Sequence, residues 1–217
     1  MNVVRVVLVD DEPMIRSGIR TIVEATGDAR VVGDAGDGRQ ALAVIREKNP
    51  DIVLLDIRMP EMDGITAAKK IAEVYPEVGI IMLTTFGESD YVTAALSIGV
   101  SGFVLKSGEP EELSHAIRAS ASGGAYFSPQ VAAHLVQHVG TSPRIDDDAR
   151  RRVDRLSERE TDILLQLAEG ASNTEIAESV YLSVGTVKWH VTRILRTLGA
   201  RNRVEAALLA YRSGLVT

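Results

Sequence analysis

Short apolar runs recur along the first half of the chain, at Val3–Val9, Arg30–Ala35, Ile52–Asp56, Gly79–Thr84 and Gly102–Lys106. They are rich in β-branched residues and nearly continuous in apolar character, which predicts strands buried on both faces. The stretches between them change period. Ile15, Ile19, Ile22 and Val23 share one helical face, and Leu113, Ala116 and Ile117 repeat that spacing after the last run. Five strands, each followed by a helix, must pair in parallel, because a crossover helix joins parallel neighbours. The predicted first module is an α/β fold: a five-stranded doubly wound parallel sheet whose functional edge lies at the carboxyl ends of its strands.

The pattern dissolves from Gly123. Gly123-Gly124, two prolines, the acidic run Asp146-Asp147-Asp148 and the basic run Arg150-Arg151-Arg152 read as a linker over residues 123–152, with one short helix around Val131–Val139. Beyond Leu156 only helical periodicity remains. Ser157 and Glu160 form a capping-box signature ahead of Ile163, Leu164 and Leu167. Ser172 or Asn173 opens a second helix, Ser183 a third, and a fourth runs from about Val204 to Arg212. The predicted organisation is an α/β domain over residues 1–122 and a small all-α domain over 153–217.

Composition narrows the class. With 45% hydrophobic and 25% charged residues the chain is an ordinary globular one. Its longest apolar runs fall far short of the roughly 18 residues of a membrane span. Asp10, Asp11 and Glu12 break up any signal-peptide core. Cysteine is absent, which excludes disulfides, thiol catalysis and Cys-based zinc sites. The expectation is a cytoplasmic protein with no membrane partner. The net charge of −6 is unevenly spread: residues 1–149 carry 13 Lys and Arg against 22 Asp and Glu, and residues 150–217 carry 11 against 8. An acidic module followed by a basic one suggests two different partners.

Asp10 and Asp11 follow the first predicted strand, Asp56 ends the third, Thr84 the fourth and Lys106 the fifth. In a doubly wound sheet these ends lie side by side. Clustered carboxylates raise one another's pKa unless a cation compensates them, and hard oxygen ligands without His or Cys favour Mg²⁺. An Asp nucleophile, Mg²⁺ and a Lys suit a phosphoryl-acceptor site, with the Thr84 hydroxyl available to the new phosphoryl group. Any one of these residues alone has a plain structural explanation, such as capping the helix after Glu12; the ordered set does not.

Residues 3–122 resemble the receiver domain of two-component response regulators through Leu8-Val9-Asp10-Asp11-Glu12, Leu55-Asp56-Ile57-Arg58-Met59-Pro60 with Asp63-Gly64, Leu83-Thr84-Thr85 and Gly102-Phe103-Val104-Leu105-Lys106. The resemblance implies Asp56 as phosphoacceptor. It implies Mg²⁺ held by Asp10, Asp11, Asp56 and the Arg58 carbonyl, Lys106 as phosphoryl partner, and Thr84 and Phe103 as switch residues. Ser107 stands where many receivers have proline. A haloacid-dehalogenase-type phosphatase would need an acid two residues after Asp56, where Arg58 stands, and no GxxxxGK[ST] motif offers a nucleotide site. The expectation is a protein that is not an enzyme.

On the third tail helix Val187, Val191, Ile194 and Leu198 share one face, while Trp189, Thr192, Arg193 and Arg196 lie opposite with Lys188 at the flank. An outward Trp among cations is unusual for structure alone and suits a helix entering a DNA major groove. Asn173–Val180, the turn Tyr181-Leu182-Ser183 and Val184–Leu198 make a helix-turn-helix. This stretch resembles the LuxR-type motif, and the whole chain the NarL/FixJ subfamily of response regulators. The resemblance places Lys188, Trp189 and Thr192 at base edges, with Asn173, Thr174, Thr186, Arg193, Arg196, Arg201 and Arg203 as further DNA contacts. Trp189 stands where many relatives have Val, and Thr192 where some have Lys. The implied partners are a sensor histidine kinase, double-stranded promoter DNA with two-fold related half-sites and a second copy of the chain, RNA polymerase being a further candidate. A regulator working without phosphorylation, its receiver vestigial, is the alternative.

Overall fold

The computed structural model describes residues 3–85, 89–128, 146–200 and 202–216. The helix expected around Val131–Val139 and the candidate Arg201 lie outside them. The described residues form two compact units, residues 3–121 with 126–128, and residues 122–125 with 146–216.

In the first unit β1 (Val4–Val9), β2 (Ala29–Ala35), β3 (Ile52–Asp56), β4 (Gly79–Thr84) and β5 (Gly102–Leu105) alternate with α1 (Pro13–Glu24), α2 (Gly38–Lys48), α3 (Gly64–Val74), α4 (Ser89–Ile98) and α5 (Pro110–Ala121). All pairings are parallel, and the first five strands lie in the order β2-β1-β3-β4-β5. Every residue of β3 is buried, as are Val6–Val9 of β1, so the central strands carry the core that their apolar runs announce. Side chains fix the helix starts. Asp37 accepts from the amides of Arg39 and Gln40, and Asp63 from Thr66. Glu12 occupies the cap position of α1 without a side-chain bond, and Pro13 supplies the first turn.

Among the described residues the sheet has six strands, not the five expected. The sixth, β6 (Tyr126–Phe127), pairs with the edge of β5 through Gly102–Tyr126 and Phe103–Phe127. Two residues carry no readable period, and they fall in a span that reads as linker. Gly102 permits the approach, since a Cβ there would stand 2.7 Å from the Tyr126 carbonyl. The ring of Phe127 stacks 6.5 Å from that of Phe103.

The described elements of the second unit are helices: α6 (Asp147–Val153), α7 (Glu158–Ala168), α8 (Asn173–Ser179), α9 (Val184–Leu198) and α10 (Arg203–Arg212). Helix α6 falls in the expected linker. Its acidic first turn and basic last turn, capped by Asp146 on the amides of Asp148 and Ala149, complement the helix dipole, although the same charges read as a loop when periodicity is the only guide. Ser157 and Ser172 make capping boxes with Glu160 and Glu175, and Ser183 caps α9. Ile163, Leu164, Leu167, Ile176, Val187, Val191, Ile194 and Leu198 meet in one core, which fixes α9 against α7 and α8.

Candidate functional site

The register of β1 on β3 sets Val9 beside Leu55, so the next residues, Asp10 and Asp56, emerge as neighbours. Two strands beyond β3, the Lys106 amide donates to the Thr84 carbonyl at 2.8 Å, extending the pairing of β5 with β4 by one residue, and its side chain reaches back across the sheet. Lys106 Nζ stands 2.7 Å from Asp10 Oδ2 and 2.9 Å from Asp56 Oδ1. Asp10 is fully buried, Asp56 is nearly so, and Asp11 lies exposed at the mouth. Carboxylate oxygens of the three lie within 4.8 Å of one another.

Burial, helped by the charge of Asp10, lifts the Asp56 carboxyl above the usual aspartate value against the pull of Lys106. Burial also penalises the Lys106 ammonium, but its bonds to Asp10 and Asp56 outweigh that and hold it above the ordinary lysine value. The lysine is therefore a fixed cation, and the nucleophile candidate is a carboxylate short of solvent. Three hard oxygen donors without nitrogen or sulfur make a set that fits Mg²⁺.

The other expected residues fall as follows. Thr84 is buried and donates through Oγ1 to the Thr85 carbonyl at 3.1 Å. Phe103 is fully buried against Phe127. Arg58 is exposed and, with Asp11, Met59, Pro60 and Tyr91, lines a cleft of about 880 Å³. Gly64, a motif residue with no role expected of it, proves necessary to the site: a Cβ on it would sit 1.9 Å from the Asp56 carbonyl, while its amide donates to the Ile57 carbonyl at 2.8 Å.

On α9, Lys188, Trp189, Thr192, Arg193 and Arg196 face solvent, and Trp189 is 56% exposed. Thr192 is exposed, and its Oγ1 donates to the Lys188 carbonyl at 3.0 Å, so the hydroxyl proton is already used within the helix. Thr186 pairs with the capping Ser183 at 2.8 Å, and Thr174 is exposed. Asn173 is buried at 4% exposure. Arg203 turns inward: it donates to the Ala171 carbonyl at 2.5 Å, and burial lowers its pKa. Arg193 pairs through Nε with Glu160 Oε1 at 2.9 Å, a partner that the capping-box reading of Glu160 does not reveal.

An acidic pocket with a lysine at strand ends on one unit, and a basic helix-turn-helix on the other, is the layout of a signal-receiving DNA-binding regulator. Residues 6–118 match the response regulator receiver domain, and residues 154–210 the bacterial regulatory proteins of the luxR family. The chain is 39% identical over 213 residues to the uncharacterized transcriptional regulatory protein YxjL of Bacillus subtilis, covering 98% of this chain and 97% of that protein. The crystal structure of the response regulator ChrA of a heme-sensing two-component system superposes with a TM-score of 0.55 at 34% identity, covering the whole of both chains. The RcsB–DNA complex gives 0.59 at 29% identity, over 99% of this chain and 100% of that one. The chain belongs to the two-component response regulators that join a receiver domain to a LuxR-type DNA-binding domain. It is a transcription regulator rather than an enzyme. Among the described residues no helix is long and apolar enough to cross a membrane.

Proposed function

We propose that the chain is switched by phosphorylation of Asp56. Asp56 is poised for this by its place at the end of β3, 2.9 Å from Lys106 and beside Asp10 and Asp11. The phosphodonor is a phosphohistidine of a sensor histidine kinase. An Asp56 carboxylate oxygen attacks phosphorus as the P–N bond breaks, and the histidine leaves as imidazole after taking up a proton. Lys106 neutralises the phosphoryl oxygens, and Asp10, Asp11, Asp56 and the Arg58 carbonyl hold Mg²⁺, which supplies further charge neutralisation when bound. Thr84 and Phe103 carry the change from the pocket to the surface as a shift between two populated conformations.

In this reading residues 1–122 receive the signal, 123–152 join the domains, and 153–217 bind promoter DNA in the cytoplasm of a bacterium. Lys188, Trp189 and Thr192 face base edges, with Thr174, Thr186 and Arg196 toward the backbone. A net charge of +3 on residues 150–217 supports only weak monomer binding, so two copies act on two-fold related half-sites. The RcsB dimers bound to DNA are consistent with that arrangement.

The test is to incubate the chain with Mg²⁺ and a small phosphodonor while following intact mass, oligomeric state and DNA affinity, beside Asp56→Asn. A Mg²⁺-dependent adduct lost in the variant, with dimerisation and tighter DNA binding, is the expected result. DNA binding without any adduct would leave the vestigial-receiver alternative.

A further inference from the structure

Glu160 is 3% exposed, and a buried carboxylate needs partners. It has the Ser157 amide at 2.9 Å, the Ser157 hydroxyl at 2.7 Å and Arg193 Nε at 2.9 Å. The first two belong to the start of α7. The third reaches across to the outward face of α9. An ion pair anchored on a rigid, buried carboxylate orders its cation in a way that pairs of mobile surface side chains do not. The Arg193 guanidinium in turn lies 5.4 Å from the centre of the Trp189 ring, within cation–π range, and the His190 and Trp189 rings stand nearly perpendicular, 77° apart, with their centres 4.9 Å from each other. One buried acid on α7 thus holds one arginine, and that arginine covers one side of the most exposed aromatic on α9.

We infer that Glu160 is a positioning residue for base recognition: through Arg193 it fixes the orientation of Trp189, so that the indole meets the DNA in a set geometry. Arg193 then acts as a brace for Trp189 rather than as a phosphate contact. The surface presented is apolar at two positions one turn apart, the Trp189 ring and the Thr192 methyl, beside the Lys188 ammonium. An apolar pair of that kind suits the C5-methyl of thymine, and a lysine suits the O6 and N7 of guanine. This rests on the DNA-binding reading above.

The chain has a single Trp, so its fluorescence reports on Trp189 alone. Full-length protein is used to select a duplex from a randomised pool. Parent, Glu160→Gln and Arg193→Lys are then compared on that duplex and on a shuffled one at a fixed salt concentration. Gln keeps a capping-box acceptor for Ser157, and Lys keeps the charge but loses the planar group. The expected result for both variants is a changed indole emission and quenching without DNA, and affinity for the selected duplex down about tenfold. Affinity for the shuffled duplex stays within about twofold, since phosphate contacts dominate it. Replacing thymine by deoxyuridine opposite α9 weakens the parent and leaves Trp189→Ala unaffected. A parental emission and parental selectivity in Glu160→Gln would overturn the inference while DNA binding stands. So would a parallel fall on both duplexes, which marks a structural role. A pool that enriches no sequence overturns the DNA-binding reading and the inference with it.

Discussion

The ammonium of Lys106 stands 2.9 Å from the carboxylate of Asp56 and, on its other side, 2.7 Å from that of Asp10. It is the cation that lets two buried carboxylates share one strand edge. Lys106→Met therefore leaves two acids facing each other out of water. Removing one partner of a buried pair costs about 3 kcal/mol. That loss of stability is expected in urea unfolding without divalent ions, and Mg²⁺ should stabilise the variant more than the parent because the ion then supplies the missing charge. Equal stabilisation of both proteins by Mg²⁺ would mean that the ion binds away from these acids.

The loop after β3 depends on a glycine for lack of space, not for torsional freedom. Any side chain at Gly64 drives its Cβ toward the Asp56 carbonyl, 1.9 Å away. The backbone must move, and it is the backbone that carries the nucleophile candidate. Gly64→Ala is expected to lose about 3 kcal/mol, the upper range for overpacking. It should also slow formation of the phosphoryl adduct in the intact-mass assay. Slower adduct formation at parental stability would instead implicate the cleft beside Arg58.

Arg203 and Lys188 separate two kinds of basic residue. Lys188 is exposed on α9, whereas Arg203 is bonded to the Ala171 carbonyl and loses pKa to burial. Arg203→Gln should cost the helical unit about 2 kcal/mol, as deleting a charged hydrogen bond does. It should leave the slope of log affinity against log salt unchanged. A phosphate contact would lower that slope by about 0.9. A reduced slope in Arg203→Gln would return Arg203 to the DNA backbone.

The order of Asp10, Asp11, Asp56, Thr84 and Lys106 was readable because a parallel sheet gathers its strand ends on one edge; periodicity that locates the strands also locates the residues after them. The buried stripe of α9 was equally readable, since Val187, Val191, Ile194 and Leu198 follow one helical face. Pairings between elements were not. Nothing in the spacing of residues 33 apart says that Glu160 holds Arg193, or that Arg203 turns toward Ala171. Strand β6 escaped because two residues have no period, and α6 because its charges, which stabilise a helix by their order, resemble a solvated loop in composition.

Glu160 also sets an acid limit for the helical unit. Burial raises its pKa, but the bonds from the Ser157 amide and hydroxyl, with the charges of Arg193 and His190, outweigh that and hold the carboxyl below the ordinary 4.5. A depressed folded-state pKa means that the carboxylate stabilises the fold at every pH above 4.5, and that this contribution disappears as pH falls through the lower folded value. At neutral pH Glu160→Gln is expected to be less stable than the parent by about 1 kcal/mol. Below pH 4.5 the gap should narrow, because the parent loses the charge that the variant never had. Glu175 is depressed as well by its own bonds to Ser172, but it is present in both proteins and leaves their difference untouched. Urea unfolding at a series of pH values, followed by Trp189 emission, isolates this unit from the receiver. A gap that stays constant into acid would show that the stabilisation comes from the shape of the capping box and not from the Glu160 charge.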